Sequence, residues 1–212
     1  MFKASSVVAV LSPHTDDGEL GCGATISKLI KLGCQVHYVA FCTCNQTLPE
    51  GYPKGTLENE LGHALDVLGV LPANRHIYDF TVRRLSYRRQ EILDSLVALN
   101  KAIKPDIVFA PQVLDLHQDH STVAQEAFRA FKAITLLSYE LPWNNVEFNA
   151  NFLVEIQDIH LQNKINALRC YRSQEHRTYM QPDFIRSLAC VRGVTIGVEY
   201  AEAFTLMRAI YK

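Results

Sequence analysis

Two short stretches of the chain gather imidazoles and carboxylates: Ser12-Pro13-His14-Thr15-Asp16-Asp17 and, much later, Asp115-Leu116-His117-Gln118-Asp119-His120. A catalytic zinc site usually takes three protein ligands from His, Asp, Glu or Cys and leaves a position open for water or substrate. His14, Asp17 and His120 would supply two imidazoles and one carboxylate of such a set. Asp16, next to a ligand but itself free, is placed to take the proton of an attacking water. His117 is left as an acid or as a donor to a developing oxyanion, and Asp115 and Asp119 as carboxylates that orient the imidazoles. For His117 to be cationic at neutral pH, neighbouring Asp115 or Asp119 would have to raise its pKa. Each cluster alone also has a purely structural reading. An Asp pair ahead of a helix caps it and complements its dipole, and an HxDH stretch can do the same with solvated histidines. Together the clusters favour a site, because so many titratable groups in one crevice destabilise a fold unless a metal or substrate compensates them.

The elements that must position these groups follow a βα rhythm. Apolar runs at residues 7–11, 36–41, 76–80, 107–110, 136–141, 152–156 and 198–205 predict strands. Amphipathic stretches at 19–32, 57–68, 87–103, 121–132, 161–171 and 182–190 predict helices between them. The expected fold class is α/β, a Rossmann-like three-layer arrangement with a mainly parallel sheet and an irregular C-terminal third, spanning residues 1–212 as one domain. In such sheets ligands gather at the carboxyl ends of the strands. The first cluster follows the first strand and the second lies in the 112–120 loop after the 107–110 strand, so both are expected at one crevice.

Composition narrows the class further. Of 212 residues 48% are hydrophobic and 20% charged, with a formal net charge of -1, so there is no basic footprint for nucleic acid. No apolar run reaches the roughly 18 residues of a membrane span. Met1-Phe2-Lys3-Ala4 runs directly into the first strand, which predicts no signal peptide and a cytoplasmic protein. The six cysteines include no CxxC pair and read as reduced, small hydrophobes, with the thiols of Cys42 and Cys44 on opposite faces of a strand end. Gly18, Gly21 and Gly23 do not fit GxGxxG, and two carboxylates ahead of the helix would repel a pyrophosphate. Their expected role is to let the following helix lie close to the sheet.

PHTDD after a first strand, with HQDH later, resembles the metal-dependent N-deacetylases of the PIG-L/LmbE type. The likeness extends through Gly23 to Leu29, Leu68-Gly69-Val70, Pro105 to Val108, Tyr171-Arg172-Ser173-Gln174, Arg192-Gly193 and Tyr200 to Phe204. The resemblance implies zinc (Zn2+), with iron(II) (Fe2+) or another divalent ion as substitute, on His14, Asp17 and His120. It puts the general base at Asp16, transition-state stabilisation or leaving-group protonation at His117, and a tyrosine near the carbonyl at Tyr200. Leu57 stands where many members carry an arginine, ahead of the E-x-x-x-A-x-x-x-L-G stretch from Glu60 to Gly69. The implied partner is a small N-acetylated sugar, nucleotide sugar or sugar conjugate, and a homo-oligomer is compatible with the sequence. Of Arg83 and Arg84 after the short third strand, Arg84 is the candidate to reach a substrate phosphate or hydroxyl. Trp143 and Asn144 are candidates to stack on and hydrogen-bond a sugar ring, with a core tryptophan as the competing reading. The alternatives are a metal-dependent hydrolase of another bond, such as a phosphoester, and a non-catalytic sugar-binding member of the fold.

Overall fold

The computed structural model describes residues 2–211. Seven strands, β1 (Val7–Ser12), β2 (Gln35–Ala40), β3 (Arg75–Ile77), β4 (Ile107–Ala110), β5 (Thr135–Tyr139), β6 (Phe152–Ile156) and β7 (Tyr200–Arg208), form one sheet in the order β3-β2-β1-β4-β5-β7-β6. The first five pair in parallel, β1 taking Gln35 opposite Val7 on one side and Ile107 opposite Val8 on the other. β7 runs antiparallel to both β5 and β6. The expected mainly parallel sheet is therefore present, and its C-terminal third is an ordered antiparallel addition. Strands β1, β2, β4 and β5 are buried almost throughout, which is why they read as continuous apolar runs without alternation.

Six helices cover the sheet: α1 (Asp17–Lys31), α2 (Thr56–Leu68), α3 (Arg89–Ile103), α4 (Gln118–Ala130), α5 (Asp158–Leu168) and α6 (Pro182–Val194). α1 packs on α2 and α5, and α3 packs on α4. Because the strand order reverses direction between β1 and β4, successive crossovers place these two groups on opposite faces and open a crevice at the carboxyl ends of β1 and β4. Among the described residues no helix is long and apolar enough to cross a membrane.

α1 begins two residues earlier than its apolar periodicity suggests and is broken at Cys22 (φ -148°, ψ 24°). The backbone groups freed there are met from the C-terminal part of the chain. Lys164 Nζ donates to the Leu20 carbonyl at 2.7 Å and to Glu202 Oε1 at 2.7 Å. Glu202 in turn accepts the Ala24 and Thr25 N–H groups at 3.2 and 2.6 Å. The Glu202 carboxylate within Tyr200 to Phe204 thus repairs the helix that carries the first cluster.

The glycines of α1 seat it against the sheet. A Cβ at Gly18 would lie 2.6 Å from Tyr38 Cε2, and one at Gly21 would lie 2.3 Å from Tyr139 Cδ2. Both tyrosines are fully buried, and Tyr139 is pinned by its hydroxyl to the Leu11 carbonyl at 2.9 Å. Gly18→Ala and Gly21→Ala are each expected to cost about 1–3 kcal/mol of stability through overpacking. Urea denaturation checks this; an unchanged midpoint for Gly21→Ala would mean that α1 does not sit against Tyr139 as described.

Candidate active site

β1 ends at Ser12, and the chain enters α1 through a turn held by side chains. Ser12 Oγ donates to the His14 carbonyl and accepts the Gly18 N–H at 2.9 Å and the Tyr38 hydroxyl at 2.8 Å. The Thr15 carbonyl accepts the Tyr171 hydroxyl at 2.7 Å, and buried Glu19 contacts both Tyr38 and Tyr171. Burial pushes the Glu19 carboxyl up to about 8. With this turn fixed, Asp17 is the first residue of α1 and its Oδ2 accepts the His14 backbone N–H at 2.8 Å.

The second cluster is not a loop. α4 starts at Gln118, three residues ahead of its apolar pattern, because His117 caps it: the ring Nδ1 accepts the Asp119 N–H at 3.2 Å. One turn of helix then aims His120 at the end of β1. His14 Nδ1, Asp17 Oδ2 and His120 Nε2 meet in a triangle whose three edges are all 3.1 Å. The remaining ring nitrogens are held from behind, His14 Nε2 by Asp119 Oδ2 at 3.0 Å and His120 Nδ1 by Asp115 Oδ2 at 2.9 Å. Asp119 also accepts the backbone N–H groups of Arg83 and Leu85 at 2.6 and 3.1 Å, tying the loop after β3 to the same point.

This donor set fits a divalent metal. Bonds of 2.0–2.1 Å in a tetrahedron imply ligand–ligand edges of about 3.3 Å, close to the triangle found here. The carboxylates of Asp17, Asp115 and Asp119 surround two imidazoles, an anionic set that a dication displacing ring protons would balance. A ring nitrogen of His117 also lies within 4.8 Å of His14 and His120 nitrogens. His14, Cys42 and Asp119 form another close group, but Asp119 there is committed to His14 and to two backbone N–H groups. Asp119→Ala is expected to lower metal affinity by about 10–100-fold, as loss of an orienting carboxylate does, measured by competition with a chromophoric chelator. Unchanged affinity would remove Asp119 from that role.

The electrostatics separate the roles of the two adjacent aspartates. Burial opposes the charge of Asp17, yet His120 and His14 hold its carboxyl well below the usual range. Burial, and then the charge of Asp17, push Asp16 up to about 6. Asp16 caps no N–H of α1, so its carboxylate is available to the cavity. Burial lowers His14 and His120, but Asp17 and the carboxylates behind the rings outweigh it, leaving His14 well above the ordinary imidazole value and His120 at about 9. Burial and the charges of His14 and His120 push His117 down to about 4. The condition for a cationic His117, a pKa raised by Asp115 or Asp119, is not met here, because those carboxylates are directed at His120 and His14; this leaves the donor reading. With Nδ1 accepting from Asp119, the proton of a neutral His117 sits on Nε2.

The triangle lies on the wall of a cavity of about 260 Å³, lined also by Asp16, His117, Trp143 and Asn144. Asn144 approaches His120 Nδ1 with its amide at 3.4 Å. Trp143 lines the cavity and also packs: one indole face is stacked on Tyr179 at 4.0 Å and 11°, so that face is closed to a sugar. Two expected residues fall outside. Arg84 points elsewhere, its guanidinium 5.7 Å from the Tyr87 ring, and it is Arg83 that lines the cavity. Tyr200 opens β7 and its phenol answers to Glu199 and Arg186, neither of them in the cavity wall. Tyr200→Phe is expected to alter kcat/KM by less than about twofold, as a substitution away from the site; a loss of tenfold or more in steady-state assays would restore it to the site. The thiol expectation also changes, since β2 ends at Ala40 and Cys44, left-handed at φ 55°, turns into the cavity wall.

Gln174, Arg177 and Tyr179 line the cavity without having been identified from the sequence. The one signal was the Tyr171 to Gln174 stretch, which Glu60 anchors by accepting the Ser173 N–H at 2.9 Å and its hydroxyl at 2.6 Å.

The fold and the cluster of His14, Asp17 and His120 accord with one family. The PIG-L family, GlcNAc-PI de-N-acetylase, matches residues 9–131, and the chain belongs to it. The chain is 26% identical to a diacetylchitobiose deacetylase of Thermococcus kodakarensis, over 99% of this chain and 86% of that protein. The structure of an N,N'-diacetylchitobiose deacetylase from Pyrococcus horikoshii superposes with a TM-score of 0.79 at 25% identity, covering 96% of this chain and 84% of that one. GalB, a 4-carboxy-2-hydroxymuconate hydratase of Pseudomonas putida KT2440, superposes with a TM-score of 0.80 at 18% identity over 98% of both chains, a likeness of fold alone.

Proposed function

We propose that the protein hydrolyses the acetamide of an N-acetylated sugar or sugar conjugate in a metal-dependent reaction. The observation that carries this is the 3.1 Å triangle of His14, Asp17 and His120, with Asp16 uncommitted beside it in the same cavity. Family membership and the likeness to diacetylchitobiose deacetylases point to an amide on a sugar. Zinc suits two imidazoles and a carboxylate, and iron(II) would be accepted by the same ligands.

His14, Asp17 and His120 would hold a divalent cation, which would supply Lewis acidity and ease deprotonation of the attacking water. Asp16 takes the proton of that water; a carboxyl near 6 is basic enough to accept it and acidic enough to return it. As the carbonyl oxygen gains charge, the Nε2–H of His117 donates to it. Asp16, having taken the proton of the water, can return it to the departing amine, which closes the proton balance with His117 acting as a donor. Asp115 and Asp119 hold the two ligand imidazoles in the required tautomers.

The test is release of free amine by the zinc-loaded protein from N-acetylglucosamine, its chitobiose dimer and sugar conjugates, with metal content measured in parallel. Amine and acetate appearing in equal amounts is the expected result. Release of phosphate instead, or no amine from any N-acetyl compound with metal bound, would overturn the reading.

A further inference from the structure

The cavity holds two cations that hydrolysis of a neutral acetamide does not require. Arg177 is half-buried in its wall and Arg83 is exposed at its rim. Most arginines elsewhere are ion-paired, Arg75 with Asp66, Arg89 with Glu126 and Arg192 with Glu140 among them, while Arg84, Arg169 and Arg208 lie outside the cavity wall. Among the described residues neither Arg83 nor Arg177 has such a partner. The carboxylates of the cavity do not supply one: Asp17 is held by His14 and His120, and Asp16 forms no ion pair with either arginine. Asp16 and Asp17 attract Arg177 from a distance, but no carboxylate engages its paired N–H groups, which leaves them open to an anionic ligand.

Arg83 is held through its backbone and Arg177 through its side chain. Arg83 adopts the left-handed region at φ 64°, which an L side chain occupies only when its surroundings impose it. Here the imposing group is Asp119, which accepts the Arg83 N–H at 2.6 Å while holding the metal-site residue His14. Arg177 donates to the Tyr179 hydroxyl, and Tyr179 is stacked on Trp143. The fold thus fixes the Arg177 guanidinium and the backbone from which the Arg83 side chain reaches the cavity rim, and guanidinium matches phosphate and carboxylate through paired N–H groups. Asn144 and Gln174 in the same wall offer amide groups to neutral hydroxyls.

We propose that the substrate is an anionic N-acetylated sugar, whose phosphate or carboxylate is bound by Arg177 in the cavity wall and Arg83 at its rim. This rests on the deacetylase reading above and names the class of substrate within it. The zinc-loaded protein would be assayed on neutral N-acetylglucosamine and N,N'-diacetylchitobiose. The charged arm comprises N-acetylglucosamine 1-phosphate, the 6-phosphate, UDP-N-acetylglucosamine and N-acetylmuramic acid; which of them leads tells phosphate from carboxylate.

The best anionic substrate is expected to exceed both neutral sugars by about tenfold or more in kcat/KM, the scale of a charge-assisted contact, with the advantage shrinking as salt rises. Arg177→Gln and Arg83→Gln should each reduce that ratio about fivefold or more, and Arg177→Lys should retain only the part that charge supplies without the paired N–H groups. Because Arg83 is exposed and is held through its backbone, Arg83→Gln tests the idea even if Arg177→Gln fails to fold. Neutral sugars turned over as well as the anionic ones, or a ratio unmoved by Arg83→Gln, would overturn the proposal and leave the deacetylase reading intact. No amine from any of the six would overturn both.

Discussion

Asp16→Asn is expected to lower kcat/KM for amide hydrolysis by about 10³-fold, within the range for loss of a positioned general base, while about one metal ion per chain stays bound. The substitution keeps the shape of the side chain and removes only its ability to accept and return a proton. Folding has little stake in it, since Asp16 makes no capping hydrogen bond to α1. The metal has little stake either, because the triangle is built from Asp17 and two imidazoles on separate elements. Steady-state kinetics and elemental analysis on the same preparation decide the matter. A loss below tenfold would assign the base elsewhere, and a loss of metal together with activity would make Asp16 a ligand.

Asp17→Ala is expected to show the complementary pattern, with metal affinity reduced at least about 100-fold and turnover falling with it. Asp17 is the only carboxylate of the triangle, and its Oδ2 also holds the His14 backbone N–H and faces both ligand imidazoles. Removing it leaves two imidazoles facing each other at 3.1 Å with nothing between them to favour a cation. A readout independent of activity follows from linkage. Metal at a hundred times its dissociation constant stabilises the wild-type fold by about 2.7 kcal/mol, so zinc should raise the wild-type melting temperature and leave that of Asp17→Ala unmoved. Equal stabilisation of both proteins would place the metal elsewhere.

Much of this centre was legible in the sequence, for a physical reason. His14, Asp16 and Asp17 lie within one strand-to-helix turn, and His117, Asp119 and His120 within one helix start. Short-range geometry therefore fixes how each cluster presents its groups. A parallel sheet brings the ends of β1 and β4 side by side once both are recognised as central strands. What short-range reasoning missed was the helix starts. Capping by His117 begins α4 before its apolar periodicity does, which moved HQDH from a loop to a first helical turn and set the tautomer of His117.

The rest of the cavity depended on packing across long separations. Arg177 and Tyr179 reach it because Glu60 of α2 anchors Ser173 and because Tyr179 stacks on Trp143. Arg83 rather than Arg84 lines it because Asp119 imposes a left-handed residue at position 83. Tyr200 stays out of the cavity wall because its phenol is engaged by Glu199 and Arg186, while Glu202 of the same strand is committed to the break in α1. The sequence by itself brought together His14, Asp16, Asp17 and His120, the proposed ligands and base, and the sheet that joins them, since those depend on neighbours a few residues apart and on strand order. Only the tertiary structure decided which cations and aromatics face the substrate, because those contacts arise from side chains far apart in the chain, each placed by the packing of others.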